Sequence, residues 1–230
     1  MAETLSAPLA FREAITRLRQ RYGSPAPPIS RDPFHLVLWE QVGYLADDDR
    51  RTAAFEALRD RVGLEPAAIF RAPMTTLSAV TRIGGAIAFE DRARRLARSA
   101  AMVLDDWDGD LGTALRQPAP AARRALMRFP MIGEPGADKI LLFARAHRAF
   151  AVDSNGLRVL QRLGYGRELK SYTAAYRSVL EAIADQLPAD YDALIAAHHL
   201  LRQHGRSLCR RADPECAECP LRSGCAFGRR

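Results

Sequence analysis

Cys209, Cys216, Cys219 and Cys225 are the only cysteines of this 230-residue chain, and they follow one another with the spacing C-x6-C-x2-C-x5-C. Four thiolates so close in sequence can wrap one compact centre, and Pro214, Pro220 and Gly224 punctuate the loops between them. Such a set holds zinc or an iron–sulfur cluster. Structural zinc usually takes two CxxC-like pairs. One CxxC flanked by single cysteines favours a cubane, which takes one thiolate per iron, over zinc and over free thiols. Arg206, Arg210, Arg211 and Arg222 crowd this end. They offset the negative charge of such a centre and either reach phosphates or only solvate the tail.

Two further groups carry chemical potential. The stretch Phe129-Pro130-Met131-Ile132-Gly133-Glu134-Pro135-Gly136 reads as a turn between helices. Its glycines expose backbone N–H groups beside a helix N-terminus, where a phosphate binds well; a plain helix–turn–helix connection is the other reading. Asp153, ahead of Ser154, reads as the N-cap of a helix. Amine chemistry has two side-chain candidates only, Lys139 and Lys170.

The cysteine spacing resembles the cluster loop of the endonuclease III family of DNA glycosylases. His198-His199-Leu200-Leu201 and His204-Gly205-Arg206 resemble the helix that leads into that loop. The 129–136 turn is similar to the family's helix–hairpin–helix, whose hairpin reads roughly L-P-G-V-G, with Phe129 and Met131 in place of the usual Leu and Gly. The run Ala151-Val152-Asp153-Ser154-Asn155-Gly156-Leu157-Arg158-Val159 resembles the family's V-D-T-H-x-x-R-V segment, and Asp153 falls on its catalytic aspartate. A fixed carboxylate suits that chemistry, because breaking an N-glycosidic bond builds positive charge on the sugar. The resemblance implies a 4Fe–4S cluster on the four cysteines, structural and DNA-contacting rather than catalytic. It also implies double-stranded DNA as partner and K⁺ or Na⁺ at the hairpin carbonyls. Pro130, Met131, Ile132, Gly133, Glu134, Gly136, Arg206 and Arg210 are the expected DNA contacts.

The pattern departs from the family in places. Bifunctional members carry a lysine two residues after the last hairpin glycine, which forms a Schiff base with the sugar. Pro135 stands there instead. Lys139, one helical turn on, either reaches back or is an ordinary helix-side lysine. Gln41 sits where the family places a glutamine that fills the space of the flipped nucleotide, or is a plain polar helix residue; Trp39 and Tyr44 stack on a base or belong to the core. Three functions follow: a monofunctional glycosylase using Asp153, a non-catalytic cluster-bearing DNA-binding or lesion-sensing protein, and a bifunctional lyase using Lys139.

The elements that must hold these groups are helical. Phe11, Ile15, Leu18 and Tyr22 mark one face of a helix over 9–22. Further helices are expected at 34–45, 50–62, 66–70, 74–81, 86–104 with its arginines on a polar face, 111–116 and 121–128, then at 137–148, 154–163, 171–187 and 191–205, with 149–152 extended. No alternating strand pattern appears. The expected fold is all-α, with one helical domain over 30–147 containing the hairpin, and a cluster domain formed by 1–29 plus 148–230. The resemblance places the hairpin and Asp153 near the cleft between them.

A net charge of +7 at pH 7 and a hydrophobic fraction of 48% suit a globular protein that concentrates polyanions. No apolar run reaches membrane-spanning length and the start shows no signal peptide, so a cytoplasmic, nucleoid-associated monomer is expected.

Overall fold

The computed structural model describes residues 9–43 and 46–229. All regular structure among them is helical. In chain order the α-helices are α1 (Phe11–Tyr22), α2 (Pro33–Val42), α3 (Asp48–Arg61), α4 (Pro66–Arg71), α5 (Met74–Ile83), α6 (Phe89–Trp107), α7 (Gly112–Leu115), α8 (Ala119–Leu126), α9 (Glu134–Phe143), α10 (Ser154–Leu163), α11 (Tyr172–Ile183) and α12 (Tyr191–Ser207). The chain forms two compact units. One takes Pro28–His147; the other takes the described residues of Met1–Pro27 and Arg148–Arg230. No described helix is long and apolar enough to cross a membrane.

In the Pro28–His147 unit, α2 begins with Pro33 at its first turn and Asp32 as its cap, the carboxylate accepting from His35 N at 2.9 Å. It is apolar almost all round and buries Phe34, Leu36, Val37, Leu38, Gln41 and Val42. Along α6, Ala93, Leu96, Ala100 and Val103 form the inward stripe. The expectation that the arginines of this helix all lie on its polar face fails at Arg92, which is 1% exposed. Its guanidinium donates to the carbonyls of Thr81, Gly85 and Ile87, which end α5 and form the following loop. Helical periodicity reports where a side chain starts, not how far a long one reaches inward to cap a neighbour.

α9 begins at Glu134, immediately after Gly133, so Glu134, Pro135 and Gly136 belong to its first turn rather than to the hairpin. Proline is well suited there, since its missing N–H is one that a first turn leaves unpaired. The helix stops at Phe143, five residues short of the expected end, and Arg145 adopts a left-handed φ of 56° that no helix can continue.

In the other unit, α10 runs from its Asp153 cap to Gly164, whose φ of 104° terminates it in the left-handed form. α12 buries Leu194, Ile195, Leu200 and Leu201. α10 and α12 pack closely, and two glycines permit it. A Cβ on Gly205 would lie 2.6 Å from the carbonyl oxygen of Asn155, and one on Gly156 would meet Leu201 Cβ at 3.3 Å. α1 closes over the same helix, with Tyr22 Oη 2.9 Å from both His204 Nδ1 and Ser207 Oγ.

Candidate functional site

Asp153 stands at the first turn of α10, and four donors meet its carboxylate. Oδ1 accepts from the amides of Asn155 at 3.0 Å and Gly156 at 2.8 Å. Oδ2 accepts from Asn155 Nδ2 at 3.1 Å and lies 3.3 Å from Arg202 Nε, which α12 supplies. Burial pushes this carboxyl's pKa up, but the Gly156 amide, the nearby His198 ring, Asn155 and Arg202 together outweigh it and hold the group below the ordinary carboxylate range. His198 is buried, and its Nδ1–H donates to the Ala151 carbonyl at 2.8 Å, which orients the ring. Tyr172, at the start of α11, exposes 45% of its surface while its phenol is pushed up to about 12, first by burial and then by the negative charge of Asp153.

Arg202, His198 and Tyr172 escape a reading of spacing. They lie 49, 45 and 19 residues beyond Asp153 and meet it only because α11 and α12 fold back beside α10. The i, i+4 arginine pair Arg158 and Arg162 was the one accessible signal in this region. Arg158 donates to the carbonyls of Gly205 at 2.6 Å and Cys209 at 3.0 Å and to Asn155 Oδ1 at 3.0 Å, tying α10, α12 and the cysteine loop together.

The hairpin belongs to the Pro28–His147 unit. Met131 adopts a left-handed φ of 66° and is 61% exposed, which places a side chain at the tip of a turn that a glycine would form without strain. Ile132 is 5% exposed, so its side chain belongs to the core. Gly133 is exposed and caps α9 with no side-chain bond, and Ala137 N closes the first turn onto its carbonyl at 2.9 Å. The N–H groups of Glu134 and Gly136 occupy the helix positions that lack intrahelical partners, and Pro135 contributes none.

Gln41 is 2% exposed. Its Nε2 donates to the Pro130 carbonyl at 3.0 Å, and Ser99 Oγ lies 2.9 Å from Nε2 and 3.0 Å from Oε1. The amide therefore braces the hairpin from beneath. Beside it, Lys139 of α9 forms an ion pair with Glu40 of α2 at 2.7 Å, both side chains less than a fifth exposed. Trp39 packs edge-on against Phe55, with ring centres 5.6 Å apart, and Arg51 lies over it. Tyr44 lies outside the described residues.

The four cysteines line one recess of about 290 Å³, part of it open to solvent, together with Arg162, Pro214, Arg222 and Phe227. Four thiols facing one recess are a donor set that suits an iron–sulfur centre or zinc. Among the described residues no set of His, Cys, Asp or Glu closes to single-ion distances. Donors suited to sulfur are present: Arg162 Nη1 is 3.4 Å from Cys209 Sγ, Gly228 N is 3.4 Å from Cys225 Sγ, and His204 Nε2 is 3.5 Å from Cys219 Sγ. Burial pushes the Cys219 thiol up to about 11 and raises that of Cys209, so these groups keep their protons until a metal replaces them. Arg162 also donates to the carbonyls of Arg210 and Arg211. Arg210 holds Glu215 at 2.6 Å within the loop, and both Arg206 and Arg210 are exposed.

No family model matches the chain. It is 26% identical to an endonuclease III of Sulfolobus acidocaldarius over 199 residues, covering 86% of this chain and 83% of the relative. It is 24% identical to an endonuclease III of Haemophilus influenzae over 216 residues, covering 94% of each. A solved structure of a trapped endonuclease III–DNA covalent intermediate shares the fold, with a TM-score of 0.75, 23% identity and 95% of both chains covered.

Proposed function

We propose that this chain is a member of the endonuclease III family of helix–hairpin–helix DNA glycosylases and, within it, a monofunctional DNA N-glycosylase of base-excision repair, which extrudes a damaged or mismatched base from double-stranded DNA and hydrolyses its N-glycosidic bond. The observation that carries the reading is the Asp153 carboxylate, pinned by the Asn155 and Gly156 amides and kept anionic. A preoriented anion stabilises positive charge on the sugar without having to reorganise. A carboxylate this acidic is a weak base, so Asp153 orients the attacking water and stabilises the cation rather than taking a proton early.

Strand cleavage through a Schiff base is not part of the proposal. Pro135 has no amine, and Lys139 is engaged with Glu40. The unit containing 30–147 would present the hairpin N–H groups of Gly133, Glu134 and Gly136 to the DNA backbone, with Met131 at its tip and a K⁺ or Na⁺ ion on its carbonyls. The unit formed by 1–29 and 148–230 would hold a 4Fe–4S cluster on Cys209, Cys216, Cys219 and Cys225. Bound there, the cluster would stiffen the loop that follows Arg206 at the end of α12. The protein would act as a monomer in the cytoplasm, on nucleoid DNA.

The test is base release from duplexes carrying oxidised pyrimidines, uracil or thymine opposite guanine, adenine opposite oxidised guanine, or alkylated purines, scored with and without hot alkali. Asp153→Asn is the informative variant, because asparagine caps a helix as well as aspartate does and the fold survives. Alkali-dependent cutting that disappears in this variant is expected. DNA binding without release from any duplex would replace the proposal with a cluster-bearing binding protein. A borohydride-trapped adduct lost in Lys139→Ala would replace it with a lyase.

A further inference from the structure

Arg202 presents an electrostatic conflict. Its Nε lies 3.3 Å from Asp153 Oδ2, so it helps keep the carboxylate anionic. The same positive charge, left in place, opposes the build-up of positive charge on a sugar beside that carboxylate. Asp153 does not need Arg202 for its orientation, because the two amides and Asn155 Nδ2 come from the start of α10 itself. The Arg202 side chain is 28% exposed, and a guanidinium carries five donors in a planar fork that suits phosphate. One helical turn further along the same face of α12 stands the exposed Arg206, ahead of the cysteine loop.

On the glycosylase reading above, we infer that Arg202 is a positioning residue with two anionic partners: the Asp153 carboxylate in the free protein, and a backbone phosphate next to the extruded nucleotide when DNA is bound. The phosphate neutralises the guanidinium and draws it from Oδ2, which leaves the carboxylate oriented by α10 and unmasked toward the sugar. The other groups that face Asp153 are His198 of α12, Tyr172 of α11 and Arg158 of α10. His198 and Arg158 are committed to the carbonyls of Ala151, Gly205 and Cys209. Arg202 reaches Asp153 from α12 with its side chain still partly exposed.

The experiment is the salt dependence of duplex binding by the cluster-loaded protein, for wild type, Arg202→Gln, Arg202→Met and Arg202→Lys, on lesion-bearing and undamaged DNA. Thermal melting confirms that each variant folds, and the methionine variant keeps the packing stem if glutamine is not tolerated. A phosphate contact predicts severalfold weaker binding to both duplexes for the neutral variants, with a slope of log K against log salt shallower by about 0.9. Arg202→Lys restores the slope. The acid limb of kcat/KM for base release, which reports the free protein, moves to higher pH in the neutral variants because Asp153 loses a cation, while that of kcat stays in place. Neutral variants that keep the wild-type slope overturn the inference even if their activity falls, since Arg202 would then serve Asp153 alone. A wild-type protein that binds no duplex overturns the glycosylase reading itself.

Discussion

Replacing Gly205 by alanine sets two effects of opposite sign against each other. Gly205 lies inside α12, and helix propensity alone favours alanine by about 0.8–1.0 kcal/mol. The new Cβ, however, would lie 2.6 Å from Asn155 O, 2.7 Å from its Cβ and 2.8 Å from its carbonyl carbon. Two of these three atoms are backbone, and that backbone is pinned because the Asn155 amide donates to the capping carboxylate of Asp153. Relief requires α10 and α12 to separate, and overpacking of this kind costs about 1–3 kcal/mol or more. The clash wins, with a net loss of about 1–2 kcal/mol. For a chain of this size each kcal/mol moves the melting midpoint by about 2–4 °C, so a fall of about 2–8 °C is expected. Base release should fall by about tenfold or more, since the displaced segment orients Asp153. Gly156→Ala is the control. Its Cβ would meet side chains at 3.2–3.4 Å, which yield by a few tenths of an ångström, so its midpoint should stay within about 2 °C of wild type. Circular dichroism melts of both variants decide the matter: Gly205→Ala melting at or above wild type would refute the close-approach reasoning.

Three further outcomes are expected. The folded pKa of Asp153 is depressed, so its stabilising contribution is fully present above the unfolded value of about 3.9 and is lost as pH falls through the folded pKa. Denaturant midpoints from pH 7 to pH 2 should therefore lose part of their decline below about pH 4 in Asp153→Asn; an unchanged decline would show that the carboxylate is not held as described. Met131→Gly relieves a left-handed strain of about 1–2 kcal/mol at an exposed side chain and adds about 0.5–1 kcal/mol of unfolded-state entropy, so the denaturant midpoint should rise slightly, and a fall would mean that the side chain packs. Glu40→Gln weakens a half-buried charged hydrogen bond and should lower stability by about 2 kcal/mol, read in the same denaturant series, while Lys139→Met costs a similar amount and leaves base release intact. Lost release in Lys139→Met would give that lysine a part in the chemistry.

The all-helical architecture was legible because each helix buries a face and burial leaves a period in the sequence. The ends were less so. α9 starts at Glu134 because Gly133 turns into it directly, and it stops early because Arg145 takes a left-handed conformation that arginine does not advertise. Cysteine spacing is local and was readable, as was the Asp153 cap. The partners of those groups were not. Arg202 reaches Asp153 and Gln41 reaches Pro130 across long stretches of sequence, and Arg92 reaches Thr81 on the helix before its own. Each is a polar residue that helical periodicity assigns to no inward role, and each acquires one from the carbonyl or carboxylate that its neighbour helix happens to present.

Capping and catalysis are often weighed as rival explanations of an aspartate at a helix start, yet under the proposed function the two support each other at Asp153. The two amides that make the residue a cap are among the donors that hold it anionic, and the N-terminus of α10 adds a favourable dipole. An anion fixed this way is a poor proton acceptor and a good electrostatic partner, which is what cleavage without a covalent lysine intermediate asks of it. The position of that anion is then set by whatever sets the first turn of α10. Here that is the glycine contact with α12 and the Arg158 bonds to Gly205, Cys209 and Asn155. It follows that the cysteine loop, through the Cys209 carbonyl, bears on Asp153 without touching any substrate. Under the proposed function, chelating the 4Fe–4S cluster away should therefore lower base release more than the loss of Arg206 alone, even where duplex binding falls equally.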